Sequence, residues 1–167
     1  MKTKNPVYIE HSDFVSLLQG KDDDLAYQLT KRIIEESKDS DIYYKYFDDI
    51  AYLLDNNKSY IRTRAFMLCC ALAKWDKDSK VKAILPNMLR LYHDEKPTVV
   101  RQCLNASKQL VEYLPKTGNQ IKEEIEMVHH YILIQKLDIF RIMKELKRIK
   151  YYLKENILNI RLKLIRT

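Results

Sequence analysis

Asp94-Glu95-Lys96-Pro97-Thr98-Val99-Val100-Arg101, with apolar Leu104 three residues on, is the stretch on which the reading of the fold turns. An acidic turn passes through a proline into an apolar-Arg helix opening, and the chain carries the same arrangement earlier. A shift of 39 residues sets Asp55, Ser59, Ile61, Arg62 and Ala65 on Asp94, Thr98, Val100, Arg101 and Leu104, with Ile50 on Leu89. A shift of 36 carries the unit back once more, placing Leu18, Leu25 and Leu29 on Leu54, Ile61 and Ala65, with Ala26 in place of the arginine. Repetition at about 40 residues marks architectures in which units stack and hide one another's apolar faces.

Outward from these turns the apolar spacing is helical, at i, i+3, i+4 and i+7. Between 42 and 54 the stripe is Tyr43, Tyr46, Phe47, Ile50, Leu53 and Leu54, with Lys45, Asp48, Asp49 and Tyr52 opposite. Between 79 and 92 it is Val81, Ile84, Leu85, Met88, Leu89 and Tyr92, opposed by Lys82, Asn87 and Arg90. The stretch from Ala65 to Ala73 is apolar nearly all round, so it must be covered on every side, in the middle of a stack. Ser59 and Asp78 are placed to cap helices, Pro97 suits a first helical position, and Pro115, Thr117 and Gly118 break the chain. The pattern predicts helices over 12–19, 24–37, 41–55, 59–75, 79–93, 97–114, 119–134 and 137–160, with Pro86 kinking the fifth.

The composition agrees. At 167 residues the chain is one domain's length and can bury a sizeable core. Two glycines and four prolines leave little room for the turns of a many-stranded sheet protein. With 32% charged and 46% apolar residues it is too apolar for disorder and too charged for a membrane protein. Its longest apolar run, Ala65 to Ala73, is nine residues, where a membrane span needs about twenty. Polar residues follow Lys2 and Lys4 where a signal peptide would be apolar, so the expected location is the cytoplasm.

The string 94–101 followed by Leu104, echoed with Lys58 in the proline position by residues 55–68, resembles the HEAT repeat pattern. The resemblance covers roughly residues 12–128, in two good copies and one degenerate one. It implies an all-α fold, a short right-handed α-α superhelix of stacked antiparallel helix pairs related to armadillo repeats. It also implies a polar ladder of Asp55, Asp94, Arg62 and Arg101 between neighbouring repeats. In such stacks the second helix of each pair lines the concave surface, so Tyr52, Lys82, Asn87, Arg90 and His93 are the residues expected to face a partner. That partner would be another protein or a peptide segment. Tyr and Arg are enriched at binding hot spots. The expected function is that of a non-enzymatic interaction scaffold, and the sequence does not set its oligomeric state.

No catalytic constellation, cofactor or metal site is expected. Adjacent His129 and His130 diverge by about 100° on a helix and cannot clamp one ion. Cys69, Cys70 and Cys103 match no zinc motif and read as reduced, buried thiols. Gly20 and Gly118 alone make no phosphate loop. Some HEAT-like proteins are DNA glycosylases that use aromatic side chains and a carboxylate, which draws attention to Trp75, Asp76 and Asp78; those enzymes are longer and richer in tryptophan, and a capping or packing role for Trp75 is the preferred reading.

Charge divides the chain. Residues 1–128 hold 20 Lys and Arg against 20 Asp and Glu, whereas the last 39 hold 10 against 3 and account for the whole net charge of +7. We therefore separate a repeat domain, 1–128, from a basic amphipathic helical segment, 129–167, which is a capping helix, a functional tail or an unselected extension of AT-rich codon bias. A tail would meet nucleic acid or an anionic surface, through Lys144, Lys147, Arg148, Lys150, Tyr151 and Lys154 above all. Nucleic-acid binding is the alternative function, and no transmembrane segment is expected.

Overall fold

The computed structural model describes the backbone of residues 11–20, 23–114, 118–135 and 139–165, and side chains within 14–20, 24–114, 119–128 and 142–155. The described residues form eight α-helices and no strand: α1 (His11–Leu18), α2 (Asp23–Glu36), α3 (Phe47–Tyr52), α4 (Ser59–Leu72), α5 (Lys80–Arg90), α6 (Pro97–Tyr113), α7 (Gly118–Gln135) and α8 (Ile139–Ile165). The chain is an all-α, multi-helix domain. Contacts run from α2 to α4, from α4 to α6 and from α6 to α8, while α1 packs on α2, α3 on α4, and α7 on both α6 and α8. Among the described residues no helix is long and apolar enough to cross a membrane.

The expected stripes are the core. Tyr43, Tyr46, Phe47, Ile50, Leu53 and Leu54 are all buried, as are Val81, Leu85, Met88 and Tyr92, with Ile84 and Leu89 packed at its edge. The helix predicted to be enclosed is enclosed: from Thr63 to Leu72 every residue of α4 but Met67 is buried. Ile142, Leu146, Ile149 and Leu153, spaced at i, i+4, i+7 and i+11 on α8, are buried in the same continuous cluster.

Helix ends depart from the expected ones in instructive ways. The segment 41–55 is not one helix but a 3-10 turn (Tyr44–Tyr46), α3 and a second 3-10 turn (Leu53–Asp55). The helices α4 and α5 likewise tighten into 3-10 turns, at Ala73–Trp75 and Leu91–His93. Ser59 is not a cap; it is the first helical residue, and Lys58 precedes it with extended backbone. Nor does Asp78 cap α5. Asp76 does so from further back, its carboxylate accepting the Lys80 and Val81 N–H groups at 2.8 and 3.0 Å and the Tyr44 hydroxyl at 2.7 Å. Pro97 opens α6 as expected, and Pro86 lies inside α5.

Helix ends in the two good copies of the sequence pattern recur at 38 residues rather than 39. Ser59 and Pro97 open α4 and α6, and Tyr52 and Arg90 close α3 and α5. The Asn56 side chain accepts the Lys58 N–H at 2.9 Å as Asp94 accepts that of Lys96 at 3.0 Å. The first copy differs again: Leu25, set on Ile61 by the sequence shift, is 58% exposed, and it is Ala26 that turns inward.

Among the described residues one position carries strain. Ser79 precedes α5 with φ 58°, ψ 29°, the left-handed region, and its side chain makes no capping bond. A Cβ there costs roughly 1–2 kcal/mol, part of which glycine gives back through its freer unfolded state. Ser79→Gly is therefore expected to raise stability by about 1 kcal/mol in urea denaturation.

Candidate functional site

The residues expected to meet a partner lie on α3, α5 and the turn that follows α5. Tyr52 is 80% exposed, and Lys82, Asn87, Arg90 and His93 are exposed as well. Tyr52 and Arg90 close α3 and α5, and Asp55 and His93 close the 3-10 turns that follow them, each pair 38 residues apart. Polar side-chain contacts cross between the elements. The Lys80 ammonium meets Asp48 at 2.6 Å, Arg90 pairs with Asp55, and His93 Nε2 lies 2.5 Å from Glu124 of α7. Screening by water leaves such exposed pairs with little energy, but they fix where the long side chains lie.

The expected ladder is realised in part. Arg62 donates to Asp94 through Nε and Nη2, at 3.0 and 2.5 Å, and through Nη1 to the carbonyls of Asn56 and Asn57, at 2.8 and 3.0 Å. One guanidinium thus ties the turn before its own helix to the turn before α6. Asp55 belongs elsewhere, with Arg90 on the exposed side, and Arg101 is half-buried on α6 outside the Arg62–Asp94 pair. Asp55 and Arg90 are 35 residues apart, and no local spacing announces their pairing.

On the face formed by α2, α4 and α6 lie two adjoining hollows, of about 190 and 450 Å³, that share Tyr27, Met67 and Gln102. None of the five predicted partner residues lines either one. The helical stripes could not point to these hollows, because they arise where three helices separated in sequence leave a gap.

Groups with chemical potential serve the fold. The Trp75 indole donates to the Ser37 carbonyl at 2.7 Å, and the Asp76 carboxylate is taken up by the start of α5. Cys69, Cys70 and Cys103 are free thiols, fully buried, and burial pushes the pKa of each upward. Among the described residues no group of three or more His, Cys, Asp and Glu could hold a metal ion. The side chains of His129 and His130 lie outside the described residues.

An unfolded thiol ionises near 8.5, whereas the native ones stay protonated, so above that pH the unfolded state binds fewer protons and is favoured. Stability is fully present below about pH 8.5 and declines as pH rises. The three thiols together are expected to remove about 2 kcal/mol between pH 7 and 9, measured by urea unfolding at both. A variant with alanine at all three positions should lack this part of the slope.

Of the basic positions, Lys144, Lys147, Arg148, Lys150, Tyr151 and Lys154 are all exposed on α8. Tyr152 is not with them: it is half-buried, its hydroxyl donating to Glu112 of α6 at 3.1 Å. Lys136, Arg141, Arg161, Lys163 and Arg166 have side chains outside the described residues. Comparison with protein-family models, with curated proteins and with solved structures returned no match.

Proposed function

We propose that the chain is a HEAT-like helical-repeat scaffold that holds another protein, or a segment of one, against the exposed side of α3 and α5. The observation that carries this reading is Tyr52. A tyrosine left 80% in water covers little of its own fold, and it sits at the end of α3 as Arg90 does at the end of α5. Tyr and Arg supply large, rigid contact area and forked donors to an interface. The recurrence of turns and helix ends at 38 residues supports the repeat architecture, in which stacked pairs bury their own core and offer one long face. The mixed charge of Lys82, Arg90–Asp55 and His93–Glu124 suits a protein partner better than a polyphosphate.

The test compares proteins that co-purify with the wild type and with Tyr52→Ala plus Arg90→Glu, both shown to melt alike. A partner retained by the first, lost by the second and rebound by the purified wild-type chain supports the face. Identical partner lists overturn it.

A further inference from the structure

We propose that the outer face of α8 binds single-stranded nucleic acid, with Lys144, Lys147, Arg148, Lys150 and Lys154 engaging phosphates and Tyr151 stacking on a base.

Ile142, Leu146, Ile149 and Leu153 fix the inward side of α8, and the five cations with Tyr151 fall on an arc of about 160° turned away from it. Their span along the axis is about 15 Å, from residue 144 to residue 154. One carboxylate, Glu145, lies in this stretch, and a second, Glu155, directly follows it. Glu145, its side chain 15% exposed, pairs with Arg148 at 2.7 Å and lies 3.9 Å from Lys108 of α6, so it offsets one of the five cations and leaves about four positive charges to meet phosphates. Because residues 1–128 carry no net charge, an approaching polyanion is steered toward this helix.

The ligand class follows from two further features. A basic amphipathic helix joins a membrane by sinking its apolar side into the lipid, but that side of α8 is buried at 0–2% exposure in the protein's own core. Tyr151 is 68% exposed among the cations, where its ring presents a surface to an unstacked base. A duplex keeps its bases stacked inside; a single strand does not.

This inference is independent of the protein-binding face on α3 and α5. It is tested by fluorescence anisotropy of the full chain with a labelled oligouridylate of about twelve nucleotides. Engagement of about four phosphates predicts an affinity that falls about fiftyfold between 50 and 200 mM salt. Tyr151→Ala is expected to bind at least fivefold more weakly at either salt. Lys147→Gln with Lys154→Gln, which introduces no repulsion, should make the logarithmic salt slope shallower by about 1.4. Circular dichroism melts matching the wild type establish that the variants are folded. Absence of binding at low salt, equal affinity of Tyr151→Ala, or tighter binding to the matching duplex or to phosphatidylserine vesicles overturns the proposal.

Discussion

Phe66→Ala is expected to lower the unfolding free energy by about 3–5 kcal/mol, the cost of deleting a fully enclosed aromatic ring. Phe66 lies midway along α4 with no exposed surface, its ring 5.9 Å from that of Tyr92, which sits in the turn after α5. Its neighbours on α4, Ala65 and Leu68 to Cys70, are themselves buried and Met67 is half-buried, so the walls have little room to collapse into the space. Part of the loss is the transfer energy of the ring, and the rest is the cavity that close-packed neighbours cannot refill. Phe66→Leu keeps most of the volume and should cost less than half as much. Urea denaturation at constant pH measures both, and the slope of the transition should be unchanged if only the native state is affected.

Breaking the Arg62–Asp94 link is expected to cost about 3 kcal/mol from either side. The Asp94 side chain is 4% exposed and that of Arg62 14%, so the guanidinium left by Asp94→Ala stays largely out of water without its counter-charge. Asp94 also accepts the Lys96 N–H at the entry to α6, and its loss frees that end as well. Arg62→Lys does not rescue the site, because an ammonium cannot reach Asp94, Asn56 and Asn57 together as the planar fork does. Arg62→Met combined with Asp94→Leu should be markedly more stable than the sum of the single losses, since no charge is then stranded. A double-mutant cycle in urea reads this directly.

The helices were legible because burial acts on spacing. Tyr43 through Leu54 and Val81 through Tyr92 could be assigned to the core from their i, i+3, i+4 pattern, and the unbroken apolar run 65–73 required the enclosed position that α4 takes. The register was harder to see. Matching Arg62 to Arg101 gives a shift of 39, but Arg62 is held by Asp94 and the carbonyls of its own turn, and the residue at its place on α6 is Val100. Identity of side chains pulled the alignment one residue away from equivalence of backbone. Asp76 was missed as a cap because it lies four residues before Lys80, reaching α5 across the strained turn at Ser79 instead of from the adjoining position. At the candidate site, exposure of Tyr52, Lys82 and Arg90 followed from the stripes they oppose. The pairing of Arg90 with Asp55, and of His93 with Glu124, joins residues that only the packed helices bring together.

Helices α4 and α6 pack face to face, with α4 buried from Thr63 to Leu72 but for Met67, and the thiols the two helices carry offer the most direct measurement of that packing. Cys69 and Cys70 on α4 and Cys103 on α6 each have no exposed surface. Under native conditions at pH 8, an aromatic disulfide reagent should leave all three unmodified on the timescale in which a small free thiol reacts, and in urea they should become reactive together, in step with global unfolding. Rapid stoichiometric labelling of any one of them in the native protein would contradict the enclosed α4.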